Sequence, residues 1–339
     1  MKNHQIVFTA PCVAELLEKA VPTPGPGQVL VKLHVSSVSS GTERANVSGD
    51  PNIGPASHDP VAHFPRVLGY SSAGVVVEVG EGVKSVVPGD RVALFWSTHS
   101  TYNCLDESRV VKIEDDNISF SEAALLHIAC FPLAAIRKCH LELGESALVM
   151  GQGILGQIAV LLLRAAGAAP IIAADPNPAK RERALDLGAD YALDPLAPDF
   201  AKTVKELTRG GANVAIEVTG IGAGLDGALD CMKRFGRVAL LGCTRHSDFT
   251  IDYYRKVHGP GISLIGAHTN ARPSLESAPG LWTTYDDITA LMKLISCGRL
   301  SIIDLIEEIH LPGECPEIYR RLCEEKTFPV VQFDWSDME

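Results

Sequence analysis

Clustered basic charge is missing from this chain, and so are paired cysteines and long apolar runs. The 41 acidic residues outnumber the 30 lysines and arginines and leave a formal net charge of −11, which excludes a surface built to hold phosphate backbones or anionic lipid. Nucleic acid is therefore not an expected partner. No apolar run reaches the ~18 residues that a membrane span needs. The opening MKNHQIVFTAPCVAELLEKA has no uninterrupted apolar core of the length a secretory signal uses. A cytoplasmic protein with no membrane partner is the expectation. The nine cysteines are spread from Cys12 to Cys323 without one Cys-x-x-Cys pair. An odd, scattered set predicts reduced, mostly buried thiols rather than a disulfide framework or a four-cysteine zinc lobe.

What is present is the material of a globular protein, 46% hydrophobic and 21% charged residues over a length of 339, enough for about two domains with proper cores. Up to about residue 120 the texture is β-like. QVLVKLHV (28–35) puts Val29, Val31, Leu33 and Val35 on one face and Lys32 and His34 on the other, the period of a half-buried strand. Proline and glycine punctuate the region at PTPGPG (22–27), DPNIGP (50–55) and VPGDRV (87–92). From about 122 strands and helices alternate, with strands at 170–175, 191–194, 213–218, 237–242 and 262–267 and helices near 178–187, 199–209 and 223–233. That alternation predicts a parallel sheet covered on both faces. Further helices at 285–297 and 315–325 precede FPVVQF (328–333), a strand expected to rejoin the β-rich domain because the parallel sheet is already complete.

Gly151-Gln152-Gly153-Ile154-Leu155-Gly156 follows an apolar strand and opens a helix. In that context the first glycine permits the tight turn, the second lets backbone approach a pyrophosphate, and the third lets helix pack on strand. Asp175 ends the next strand, 19 residues past Gly156, where a carboxylate accepts from ribose hydroxyls and meets a 2′-phosphate with like charge. NAD is favoured over NADP, with Arg181 and Arg183 near enough in sequence to oppose that preference. Lys180 is either within reach of the adenosine ribose or a solvated helix residue. Thr219 and Gly242, at the ends of later strands, complete the candidate cofactor residues.

On these motifs the chain resembles the medium-chain dehydrogenase/reductase superfamily, the zinc-type alcohol and polyol dehydrogenases and their zinc-free relatives. The resemblance runs through PGPGQVLVKLHVSSVSSGTE, LGYSSAGVVVEVGEGVKSVVPGDRV, EAALLHIACFPLAAIRKCHLELGESALVMGQGILG and GRVALLG. It implies an α/β protein: a Rossmann doubly wound parallel sheet over 123–269, a β-rich GroES-like catalytic domain from 1–122 and 270–339, and a cofactor in the cleft between them. It also suggests a homodimer or homotetramer paired at the sheet edge near ISLIGAH (262–268). Where metal-dependent members carry a zinc-binding Cys, His and Glu, this chain carries Ser40, Tyr70 and His127. Ser71 replaces a nearby acid, and Ala45 stands where many members keep a relay histidine. The segment 93–111 has one cysteine where a structural zinc needs four.

Hydroxyl and phenol are poor zinc ligands, and one imidazole does not hold the ion, so neither a catalytic nor a structural zinc is expected. Ser40, Thr42, Tyr70 and His127 would then surround the reacting oxygen with hydrogen-bond donors and one titratable ring. Tyr70 is expected to contact the substrate oxygen, His127 to accept the proton or polarise the phenol, and Thr42 to relay. Alternatively Tyr70 fills the vacated pocket and His127 is a neutral core histidine. A non-standard metal site would need His127 with His58, His63 or His99. Phe95 and Trp96 are the candidate substrate-lining residues. The reading is a zinc-independent, NAD-dependent oxidoreductase for a secondary alcohol such as a sugar, cyclitol or polyol. A zinc-free NADPH quinone or enoyl reductase and a non-catalytic nicotinamide sensor are the alternatives.

Overall fold

The computed structural model describes residues 2–49, 64–244 and 249–338; the turn segment 50–55, His58 and His63 lie outside them. The chain divides into one unit of Met1–Ile128 with Ile288–Glu339 and a second of Ala129–Asp287. In chain order the first unit contains β1 (Asn3–Ala10), β2 (Val13–Lys19), β3 (Gln28–Ser37), α1 (Ser40–Val47), β4 (Arg66–Val67), β5 (Ser71–Val79), β6 (Arg91–Phe95), β7 (Tyr102–Asp106), β8 (Val110–Lys112) and α2 (Phe120–Ala123). Helix α3 (Leu126–Lys138) leads into the second unit: β9 (Ala147–Met150), α4 (Ile154–Ala165), β10 (Ile171–Ala174), α5 (Pro178–Asp186), β11 (Tyr191–Leu193), α6 (Phe200–Leu207), β12 (Ala212–Glu217), α7 (Gly222–Asp230), β13 (Met232–Leu240) and β14 (Ser263–Gly266). Helix α8 (Thr284–Ser296) returns to the first unit, which closes with β15 (Glu308–His310), α9 (Cys315–Glu324) and β16 (Val331–Asp334).

In the first unit the strands are ordered β15-β16-β3-β5-β6-β8, with β7 also on β3, and a smaller sheet runs β2-β1-β4. The alternation in β3 has its expected result, because Val29, Val31 and Leu33 are fully buried while Lys32 and His34 are not. Each such aliphatic side chain contributes about 1.5–3 kcal/mol of burial. Strand β16 pairs antiparallel with β3, Gln332 opposite Ser37, so the C-terminal strand does rejoin this unit. Phe8, Tyr319, Phe333 and Trp335 fill the core beneath it.

The second unit has the all-parallel order β11-β10-β9-β12-β13-β14. Chain order reverses between β9 and β12, so the crevice at their carboxyl ends is the place where such sheets bind ligands. Residues 270–287, expected with the β-rich domain, group here instead. The reason is ionic: Arg272 and Arg137 both reach the buried Asp287, at 3.2 and 2.9 Å, and Arg272 also donates to the Cys130 carbonyl at 2.8 Å. Burial raises the Asp287 pKa, and the two guanidinium groups oppose that rise. Residues 123–128 group with the first unit.

The expectation of wholly reduced thiols is corrected at one place. Cys12, in the turn between β1 and β2, is disulfide-bonded to Cys323 of α9, with 6.3 Å between the Cα atoms. A separation of 311 residues leaves no local spacing from which the bond could be read. The remaining cysteines of the described residues are unbonded, and burial pushes Cys139, Cys231 and Cys315 up to about 12. Among the described residues no helix is long and apolar enough to cross a membrane.

Candidate functional site

The candidate residues fall into two sets, one in each unit. In the second unit β9 runs into Gly151, whose φ of +97° is open to glycine and whose N–H donates to the Ala174 carbonyl at 2.8 Å. Gly153 caps α4 without a side-chain hydrogen bond, and the space where a Cβ would stand is open. A Cβ on Gly156 would lie 1.9 Å from the Gly151 carbonyl oxygen. Ile154 and Leu155 form the first turn of α4. The helix thus presents unfilled N–H groups past a glycine that a phosphate can approach closely, and these residues fit a dinucleotide.

Asp175, just beyond β10, is buried and fixed. One carboxylate oxygen accepts from the Gln152 N–H at 2.8 Å and the other from the Asn177 N–H at 2.9 Å. Arg181 donates to the carbonyls of Asp175 and Pro176 at 2.8 and 2.9 Å. Lys180 stands in the first turn of α5, its N–H near the capping Asn177 side chain. Thr219 donates both its N–H, at 2.8 Å, and its hydroxyl to Glu217. A Cβ on Gly242 would lie 2.3 Å from the Gly220 nitrogen. Glu217 was not foreseen. Burial raises its pKa against the hydrogen bonds from Thr219 and Gly220, and its backbone carbonyl holds the N–H groups of Leu241 and Gly242. Its signal was a lone acid ending the apolar run NVAIEV.

In the first unit the structure brings Tyr70, His127, Phe95 and Trp96 together. His127 Nδ1 lies 2.7 Å from the backbone carbonyl of Tyr70, so Nδ1 carries a proton and donates it there. The Trp96 N–H donates to the same carbonyl at 2.8 Å. Ring centroids of Tyr70, Phe95 and Trp96 lie 5.3, 5.6 and 4.9 Å from that of His127, a box of aromatic edges and faces around one imidazole. Trp96 is the partly exposed wall, at 38%.

The phenol of Tyr70 donates to Ser39 Oγ. His127 meets Tyr70 through its backbone carbonyl, and its ring stands edge-on to the phenol ring. Ser40 and Thr42 occupy the first turn of α1, half-buried, with the Thr42 carbonyl accepting from Asn46. Ser71 donates to the Ala124 carbonyl at 2.6 Å. His99 is fully buried and uses both ring nitrogens, on Ser36 at 2.7 Å and on Glu43 at 3.3 Å.

Two family models match consecutive parts of the chain: the alcohol dehydrogenase GroES-like domain over residues 25–127 and the zinc-binding dehydrogenase over residues 155–282. The chain belongs to the medium-chain dehydrogenase/reductase superfamily. Relatives within it include the L-threonine 3-dehydrogenase of Pyrococcus horikoshii, 27% identical over 333 aligned residues that span 86% of this chain and 87% of that protein. The sorbitol dehydrogenase of Bos taurus is 27% identical over 273, spanning 71% and 75%. The solved 2R,3R-butanediol dehydrogenase of Bacillus subtilis superposes with a TM-score of 0.80 at 24% identity, over 98% of this chain and 99% of that one, a likeness of fold. The chain is accordingly an oxidoreductase of the alcohol-dehydrogenase type, in a superfamily that uses nicotinamide cofactors.

The zinc from which one of these families takes its name would find poor ligands at Ser40, Tyr70 and His127. Ser40 offers a hydroxyl, the Tyr70 phenol is engaged with Ser39, and His127 is a single imidazole whose Nδ1 is used by a carbonyl. Among the described residues no group of three or more His, Cys, Asp or Glu side chains could hold a metal ion.

Proposed function

We propose that this medium-chain dehydrogenase/reductase is a zinc-independent, NAD-dependent enzyme that interconverts a secondary alcohol of the sugar, cyclitol or polyol type and its ketone. The observation that carries the reading is the hydrogen-bonded Tyr70–Ser39 hydroxyl pair beside His127. Bound NAD supplies the carbon that takes the hydride. The protein has to handle the oxygen and its proton.

Because the Tyr70 O–H points at Ser39 Oγ, the serine keeps its own proton for an outside acceptor. That proton, with the phenol behind it, stabilises negative charge as it grows on the substrate oxygen. His127 Nε2 takes the proton that the alcohol loses and becomes imidazolium, its ring held in orientation by the Tyr70 carbonyl. Ketone reduction runs the same transfers backwards. Ser40 and Thr42 line the same helix end as secondary donors, with Thr42 as relay. Phe95 and Trp96 bound the apolar side of the substrate. The polar lining suits a substrate with several hydroxyls.

Asp175 supports NAD over NADP, since a 2′-phosphate would face a buried carboxylate. Arg181 Nη1 is committed to the backbone carbonyls of Asp175 and Pro176. The exposed edge of β14, with Leu264 outward, is the surface through which a cytoplasmic homodimer, or the homotetramer built from it, would pair. Incubating purified protein with NAD and a panel of polyols, cyclitols and sugars, while following NADH formation, tests the whole. Tyr70→Phe and His127→Ala are expected to lower turnover by about 10²–10⁴-fold with NAD affinity unchanged. Equal rates in wild type and both variants would defeat the assignment.

A further inference from the structure

A buried chain of polar groups lies behind the Tyr70–Ser39 pair, and the proton count along it is closed. Trp335 Nε1, a donor only, donates to Ser36 Oγ at 2.8 Å. The Ser36 hydroxyl proton then goes to His99 Nδ1, 2.7 Å away, which places the ring proton on Nε2, facing Glu43 at 3.3 Å. Tyr319 of α9 donates to Glu43 Oε2 at 2.6 Å, and the backbone N–H of Ser39 donates to Glu43 Oε1 at 2.8 Å. Glu43 is 1% exposed, and no lysine or arginine is among these contacts. Three donors satisfy a carboxylate that burial alone would strongly disfavour.

The arrangement bears on Ser39. A serine at the N-cap of a helix ordinarily spends its side-chain oxygen on an N–H of the first turn. Ser39 caps α1 without such a bond, and its backbone N–H donates to the Glu43 carboxylate four residues on. Its hydroxyl instead accepts from Tyr70, with the backbone that carries it held by Glu43. The wall that carries Tyr70 is tied to the same chain. Gly69, at φ +98°, leaves room for His99, and a Cβ there would meet the His99 backbone nitrogen at 2.8 Å and its ring at 2.9 Å.

We propose that Glu43 is a positioning residue: held by His99 and Tyr319, it fixes the Ser39 backbone so that the Ser39 hydroxyl is presented to Tyr70. The proposal rests on the reading that Tyr70 and Ser39 handle the substrate oxygen. Glu43 itself touches neither substrate nor cofactor. Glutamine is a poor replacement, because the polar atom that becomes a donor confronts either the Ser39 N–H at the Oε1 position or the Tyr319 hydroxyl and the His99 N–H at the Oε2 position.

The test is a spectrum that needs no substrate. Protein labelled at the tyrosine ring carbon bearing the hydroxyl shows the Tyr70 resonance as the one lost in Tyr70→Phe. In Glu43→Gln that resonance is expected to move by more than its linewidth, with NAD affinity within about twofold of wild type. Once a substrate is in hand, kcat is expected to fall about tenfold, with KM little changed and partial rescue in Glu43→Asp. If Glu43→Gln does not fold, Tyr319→Phe removes one donor and should move the same resonance, by less. A folded Glu43→Gln or Tyr319→Phe protein with the Tyr70 resonance unmoved overturns the proposal and leaves the proposed function standing. Full turnover in Tyr70→Phe and Ser39→Ala, with the resonance shifted in Glu43→Gln, does the reverse.

Discussion

Replacing Cys12 with serine should destabilise the first unit more than any other single surface change. The bond to Cys323 closes a loop with a sequence separation of 311 residues. Loop-closure entropy for a chain of that length sets a ceiling of about 5–6 kcal/mol on its contribution. If the second unit stays folded while the first melts, the loop that gains freedom is roughly half as long, which lowers the ceiling by only about 0.6 kcal/mol. Measured disulfides deliver about 2–4 kcal/mol, and in a unit of this size each kcal/mol is worth about 2–4 °C. Cys12→Ser is therefore expected to melt roughly 5–15 °C below oxidised wild type by calorimetry. Cys323→Ser and the double variant should show the same loss, since one bond is removed in each. Adding reductant should bring wild type to their level and leave the variants unchanged. Denatured, unreduced wild type should titrate for the seven unbonded cysteines. Nine reactive thiols, or melting of Cys12→Ser within about 1 °C of wild type, would refute the reasoning.

Gly156→Ala should open the dinucleotide turn, because a Cβ 1.9 Å from a backbone oxygen forces strand and helix apart. NADH fluorescence titration is expected to show affinity down by about 10²-fold, and wild-type affinity would contradict the assigned cradle. Asp287→Asn leaves Arg272 buried beside a lost charge and should cost about 3–5 kcal/mol, read as a fall in Tm together with faster proteolysis between 268 and 283. The cluster at β15 makes stability depend on pH from two sides. The Arg321 guanidinium holds Glu308 down at about 2, so its contribution is present above the ordinary carboxylate range and is lost as pH falls toward that value. Burial disfavours the charged form of His310, but the hydrogen bonds it donates to Glu308 and Glu314 outweigh this and raise its pKa. Its contribution is complete below the ordinary imidazole range and disappears as pH rises through the raised value. Glu308→Gln should lower the His310 pKa by NMR titration and flatten the acid side of the stability profile; an unmoved His310 would show that the pair is not coupled.

Elements with a local code were legible in the sequence. The glycine spacing, the acid at the end of the next strand and the period-2 run of β3 each state their own conformation within a few residues. The return of β16 to β3 was legible by exclusion, since the parallel sheet had no place for it. Long-range partners were not. Ser39 and Ser40 are neighbours of identical chemistry, and only the fold decides which hydroxyl faces Tyr70. Glu43 read as an unremarked member of a Ser-Gly-Thr-Glu run, because its partners His99 and Tyr319 stand 56 and 276 residues away. The grouping of residues 270–287 depends on Asp287 finding Arg137, 150 residues earlier, and charge pairing over that distance leaves no periodic trace.

The three tryptophans occupy three unlike settings. Trp335 is sealed in the core against Ser36, Trp282 lies under the Arg137 guanidinium at 3.6 Å, and Trp96 stands partly in water with its ring 4.9 Å from His127. A protonated imidazole quenches a neighbouring excited indole far more than a neutral one does. The emission of Trp96, isolated by replacing the other two with phenylalanine, is therefore a local optical gauge of the ring to which the proposed function assigns the proton, readable before any substrate is known.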